Sequence, residues 1–127
     1  MSRLVPYAEF LGVRAERGEA DELLFLMPFG ERVTGRPGYL HGGAIAGLLE
    51  FAAFGALYEA LGEERPEVKP VNVTVQYMRG GINHDTYAAA QVTRLGKRVA
   101  NVEAHAWQLD REKPIAAAQM NVLLRRA

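Results

Sequence analysis

The chain contains no cysteine in 127 residues. Disulfides, thiolate metal sites and a cysteine nucleophile are therefore excluded together. Net charge is also missing, because 15 Lys and Arg balance 15 Asp and Glu. No global field recruits nucleic acid or an anionic membrane, so neither is expected as a partner. The opening "MSRLVPYAEFLGVRAERG" lacks the apolar core of a secretory signal and meets acidic residues early, and a cytoplasmic location is expected. Repeats, low-complexity tracts and internal linkers are absent, so residues 1–127 are expected to form a single domain. About half of the residues are apolar, which is ordinary for a packed globular fold.

Only one long apolar run exists, "YLHGGAIAGLLEFAAFGALY" from Tyr39 to Tyr58. Between Gly42 and Leu57 its single charged side chain is Glu50. A mid-span carboxylate is costly in a bilayer, and the glycines at 43, 47 and 55 lower the hydrophobicity, so a buried soluble helix is expected rather than a membrane span. That helix is predicted from about Gly43 to Leu61, with Gly62 as its C-cap. A helix apolar around most of its circumference needs contact on most sides. Small residues at Gly43, Gly47, Ala52, Gly55 and Ala56 permit close backbone approach.

The remainder reads as strands. "FLGVRAERG" and "ADELLFLMPF" are predicted to form a hairpin at Gly18, preceded by a short helix in "LVPYAEF". "EERPEVKP" reads as a polar breaker after the helix. "VNVTVQYM" alternates with period two, placing Val71, Val73, Val75 and Tyr77 on one face and Asn72, Thr74, Gln76 and Met78 on the other. "DTYAAAQVTRL", "RVANVEAHAWQL" and "PIAAAQMNVLL" follow, joined by turns at Gly96–Lys97 and "DREKP", so these three should be antiparallel neighbours. His84–Asp85 begins a strand in this reading, and Trp107 is packing. One long apolar helix against such strands is an α+β architecture, with a strongly curved sheet wrapping the helix.

These residues together resemble the hotdog-fold acyl-CoA thioesterases. The resemblance rests on "GYLHGGAIAGLLEFAAFGA", the strand ending "QYMRG" and the later "RLGKRVANVEAHAW", and runs from about Val5 to the end. The branch it is most similar to is the phenylacetyl-CoA thioesterase-like (PaaI-like) one. Its pattern is HGG, four variable positions, Leu, one variable position, then an acid. Here that places Leu48 and Glu50. The resemblance implies hydrolysis of acyl- or aroyl-CoA thioesters, with coenzyme A as part of the substrate and no separate cofactor. It assigns Glu50 as nucleophile or general base, the Gly42 and Gly43 amides as the oxyanion hole, and His41 to shaping or polarising the loop.

The chemistry of the residue types agrees. A thioester carbonyl hydrolyses through a tetrahedral oxyanion, which requires donors preset where the charge develops. Free N–H groups at a helix N-terminus are such donors, and glycine lets a carbonyl approach without meeting a Cβ. A structural carboxylate at Glu50, a loop-ordering His41 and a simple tight helix entry at Gly42–Gly43 are the plainer alternatives. Nine residues separate His41 from Glu50, about 13 Å of rise and roughly 180° of rotation on an ideal helix. One helix cannot easily aim its N-terminal amides and Glu50 at one carbonyl, whereas two copies can, each giving its N-terminus to the other's Glu50, which predicts an active site at a two-fold homodimer interface. A homodimer or a dimer of dimers is therefore expected.

Phe51, Phe54 and Tyr58 are the expected acyl-pocket residues. Arg79, Gly80, Arg94, Lys97 and Arg98 are expected near the phosphates of coenzyme A, with a solvated basic turn as the plainer reading of the last three. His105 and Glu103 share a strand face, but two ligands do not make a metal site, and none is expected. The chain departs from the branch at Phe54, where relatives often carry Ser or Thr, at Gly35, where they often carry Gln or Asn, and at "MRGG" in place of "LRP". A non-catalytic acyl-CoA-binding hotdog protein, acting as a sensor or accessory subunit, is the alternative function. A hydratase of the same fold lacks its His-containing loop here.

Overall fold

The computed structural model describes residues 5–126. Leu4, in the stretch read as a short helix, lies outside the described residues, as do Met1, Ser2, Arg3 and Ala127. Pro6 opens that helix, α1 (Pro6–Leu11), at a position where its missing N–H costs nothing, and Gly12 closes it with φ +77°. β1 (Arg14–Arg17) and β2 (Leu23–Met27) then pair antiparallel around a 3-10 turn at Glu19–Asp21. The hairpin at Gly18 is thus present with shorter strands than the sequence suggests, because residues 10 and 11 belong to α1.

The long apolar run forms α2 (Gly42–Leu61), capped at its end by Gly62 with φ +64°. β3 (Glu67–Tyr77), β4 (Thr86–Leu95), β5 (Val99–Trp107) and β6 (Ala116–Arg125) complete one six-stranded antiparallel sheet in the order β1-β2-β4-β5-β6-β3. This is the hotdog architecture. β3 starts earlier than the polar stretch suggested, since Glu67–Pro70 already pairs with Val122–Arg125. Proline is tolerated there because β3 is an edge strand and the register shifts between Pro70 and Asn72. The shift leaves Val71 in a bulge, 62% exposed, instead of aligned with Val73 and Val75.

Inward side chains alternate as the two-residue period requires. Ala104 and Ala106 of β5 and Ala116 and Ala118 of β6 pack with Ala44, Ile45, Leu48, Leu49 and Ala52 of α2. Toward the helix C-terminus, Ala53, Leu57 and Leu61 meet Ala100, Val102, Met120, Val122 and Leu124. The alanines let the helix settle close to the sheet, and Gly55 does so on the β2 side. A Cβ at Gly55 would lie 2.6 Å from Phe25 Cε1 and 3.1 Å from Leu23 Cδ2. Phe25 is itself buried and cannot swing away cheaply. Gly55→Ala is therefore expected to lower stability by about 1–3 kcal/mol from overpacking, against the modest helix-propensity gain, read as a fall in Tm.

α2 is not covered all round. It lies mainly over β4 and β5 and barely reaches β3. Ala46, Glu50 and Phe54 are half-buried and Tyr58 is exposed. Their spacing of four residues makes them one stripe of the helix. The inward residue Val73 of β3 is likewise exposed.

Candidate active site

The stretch leading into α2 is held by backbone bonds on both sides. The His41 N–H donates to Val33 O at 2.8 Å and the Leu40 N–H to Gly81 O at 2.9 Å. His41 is the N-cap residue in extended conformation, φ −71° and ψ 132°. Its carbonyl accepts from the Ala44 and Ile45 amides, and its imidazole Nδ1 accepts from the Gly43 N–H at 2.9 Å. With Nδ1 as acceptor, the neutral ring carries its proton on Nε2, at the far edge of the exposed ring.

This bond separates the two expected amide donors. The Gly43 N–H is occupied by His41, while the Gly42 N–H has no acceptor among the described residues. The Gly42 amide is the open donor at the positive end of the helix. Gly43 is close-packed for the same reason, since a Cβ there would stand 3.0 Å from both Nδ1 and Cε1 of His41. A side chain not singled out in the sequence completes the turn. Tyr77, the last residue of β3, donates its hydroxyl to Gly42 O at 2.8 Å. The two-residue alternation of β3 had marked its face but not this partner.

Glu50 lies two turns further along α2. Its half-buried carboxylate makes no hydrogen bond or ion pair with any described residue. Phe54, one turn on, stacks with Tyr58 at a centroid distance of 6.4 Å. Phe51 meets the half-exposed ring of Tyr7 from α1 at 6.1 Å. The expected acyl-pocket residues thus flank Glu50 on one helix, with α1 to one side.

The basic residues divide into two groups. Arg79 and Gly80 follow Tyr77 at the α2 N-terminal end, where Gly80 lies against the Tyr39 ring. Arg36, not singled out in the sequence, stands over the same ring at 4.4 Å. Arg94, Lys97 and Arg98 are at the β4–β5 hairpin and line a depression of about 430 Å³ with Gly96, Val99 and Asn101. Ala100 at that hairpin is level with Val122 and Pro70, seven residues along β3 from Tyr77. Within one chain the two groups are therefore separated by about 23 Å along the strands.

The outer face of the sheet is polar. Arg111 forms a two-pronged pair with Glu22 at 2.8 and 2.7 Å, donates Nε–H to His105 Nε2 at 3.2 Å, and covers the Trp107 ring at 4.3 Å. Burial first, and the Arg111 charge second, hold the His105 pKa below its ordinary value despite Glu22. The Arg111 hydrogen bond chiefly holds the Glu22 pKa low. His105 is thus a structural acceptor, and Trp107 is packing. Among the described residues no group of three His, Cys, Asp or Glu side chains is gathered that could hold a metal ion. Asp85 precedes β4 and accepts the Phe29 N–H at 3.0 Å.

Residues 37–115 match the family model of the thioesterase superfamily. Among solved structures, the BH2602 protein of Bacillus halodurans, determined with CoA, is similar with a TM-score of 0.87 at 19% identity, over 100% of this chain and 83% of that one. A Chromobacterium violaceum protein is 33% identical with a TM-score of 0.73, over 96% and 84% of the two chains. The thioesterase HI1161 of Haemophilus influenzae is 20% identical with a TM-score of 0.78, over 93% and 81%. No curated protein matches the chain.

Proposed function

Because the chain belongs to the thioesterase superfamily, we propose that it hydrolyses acyl- or aroyl-CoA thioesters to the free acid and CoA. The observation that carries this reading is that α2 holds both a helix N-terminal amide at Gly42 and a half-buried carboxylate at Glu50 that have no partner among the described residues. The first suits a developing oxyanion, and the second suits a nucleophile or a base that takes a proton from water. Each route places a tetrahedral oxyanion at the same carbonyl carbon. Attack on the carbonyl carbon forms a C–O bond, the tetrahedral centre collapses, and the C–S bond breaks to release CoA thiolate, which takes up a proton. When Glu50 takes the proton of an attacking water, the product is the free acid; when Glu50 itself attacks, the product is a mixed anhydride that a water then cleaves to the free acid and the Glu50 carboxylate. His41, with its proton on Nε2, is a second donor at the mouth of the site.

The site is completed by a second copy of the chain. Among the described residues β3 has a strand neighbour on one side only, and its inward Val73 is exposed beside the open stripe of α2. Two β3 edges joined antiparallel about a two-fold axis cover both surfaces. They also bring the Gly42 end of one helix toward Glu50 of the other. The same operation carries the Arg94–Arg98 hairpin of one chain toward the Arg79 end of its partner, so that both basic groups lie toward the same end of the joined sheet. CoA in the Bacillus halodurans relative supports the nucleotide-bearing substrate. The aromatic side chains at 51, 54 and 58 favour small aromatic or short-to-medium acyl groups, as in the PaaI-like branch.

The test is thiol release from a panel of acyl- and aroyl-CoA esters. Turnover is expected with at least one class. Tight binding of CoA esters without turnover overturns the hydrolase reading and favours an acyl-CoA sensor, to which Phe54 in the place of a hydroxyl residue points.

A further inference from the structure

Tyr77 and His41 bind opposite ends of one peptide group. The Tyr77 hydroxyl donates to Gly42 O at 2.8 Å, and the N–H of that same peptide, Gly43, donates to His41 Nδ1 at 2.9 Å. A peptide group is planar and polarisable. The first turn of α2 already places the Ala46 amide on that carbonyl, and a second donor there strengthens donation from the peptide's N–H further. Tyr77 is well placed for this because β3 ends beside the first turn of α2. Its continuation is anchored by the Met78 and Arg79 amides, which both donate to Ile115 O. The tyrosine ring also lies beside Gly42, where an added Cβ would stand 3.5 Å from the hydroxyl.

We propose that Tyr77 is a positioning residue for His41, acting through the Gly42–Gly43 peptide to hold the imidazole as its Nε2–H tautomer with that proton offered to the substrate. This rests on the hydrolase reading for its catalytic consequence, but not for its structural one. The Tyr77 hydroxyl is committed to Gly42 and serves the site indirectly. Its loss is then felt in turnover more than in substrate affinity.

The test compares wild type with Tyr77→Phe by ¹H–¹⁵N spectra of the His41 imidazole in the full-length protein, alongside steady-state hydrolysis of the best CoA ester. Wild type is expected to carry the proton on Nε2. Tyr77→Phe is expected to show a mixed tautomer and a kcat lowered about tenfold, with KM within about twofold. In a His41→Ala background, adding Tyr77→Phe is expected to cost nothing more in kcat. A wild-type His41 protonated on Nδ1 overturns the proposal without any variant. So does an unchanged imidazole spectrum in Tyr77→Phe, or a loss that persists in full without His41. If wild type releases no thiol from any ester, the hydrolase reading fails, and the imidazole spectra alone decide whether Tyr77 positions the ring.

Discussion

Glu50→Gln is expected to lower kcat for thiol release by about a hundredfold or more while leaving the fold intact. The substitution keeps the side chain's shape and removes only its capacity to attack or to take a proton. Because Glu50 has no hydrogen-bond or ion-pair partner among the described residues, no buried group is left unsatisfied when its charge disappears. Tm is therefore expected to hold or rise, and the oligomer to persist. That combination separates a working carboxylate from a structural one, since loss of a structural carboxylate lowers stability and leaves turnover in proportion to folded protein. Turnover surviving at wild-type level identifies a different base.

Gly42→Pro is the second substitution with a large expected effect, and the local geometry makes it unusually clean. Gly42 is the first residue of α2, a position that accepts proline because its N–H has no partner within the helix. The residue before a proline must be extended, and His41 already is, with φ −71° and ψ 132°. An added Cβ would meet Tyr77 only at ordinary contact distances of 3.5–3.6 Å. The change thus deletes the Gly42 donor at a helix position that accepts proline. Loss of one oxyanion donor is expected to lower kcat by about 10²–10³. Gly42→Ala, which keeps the N–H, is expected to retain most activity, and equal losses in both variants contradict the donor role.

Much of this site is legible in the sequence because it is local. The HGG run and Glu50, the single charged residue between Gly42 and Leu57, lie within ten residues, and helix periodicity alone relates them. The helix limits differ from expectation by one residue at Gly42, and the Gly62 stop is met. The β4–β5–β6 order was readable from short turns between alternating segments. What escaped is non-local. Nothing in "EERPEVKP" announces that four of its residues pair with the C-terminal strand, since the partner lies more than fifty positions away and supplies the burial that the residues lack. Tyr77 reaches Gly42 across 35 positions, and no periodicity encodes that bond. The His41–Gly43 bond is short-range, yet its effect on which amide stays free depends on the side-chain rotamer. The basic residues were legible as charges but not as two groups separated along the strands of the sheet.

The central claim is that one active site draws Gly42 from one chain and Glu50 from its two-fold partner. Mixing the inactive Glu50→Gln and Gly42→Pro proteins, with subunit exchange, tests it directly. Random pairing makes half of the dimers mixed, and each mixed dimer has one site with both groups intact. Activity should therefore return to about a quarter of the wild-type level. If each chain carried a complete site of its own, every chain in the mixture would remain defective, and activity would stay at the level of the separate variants.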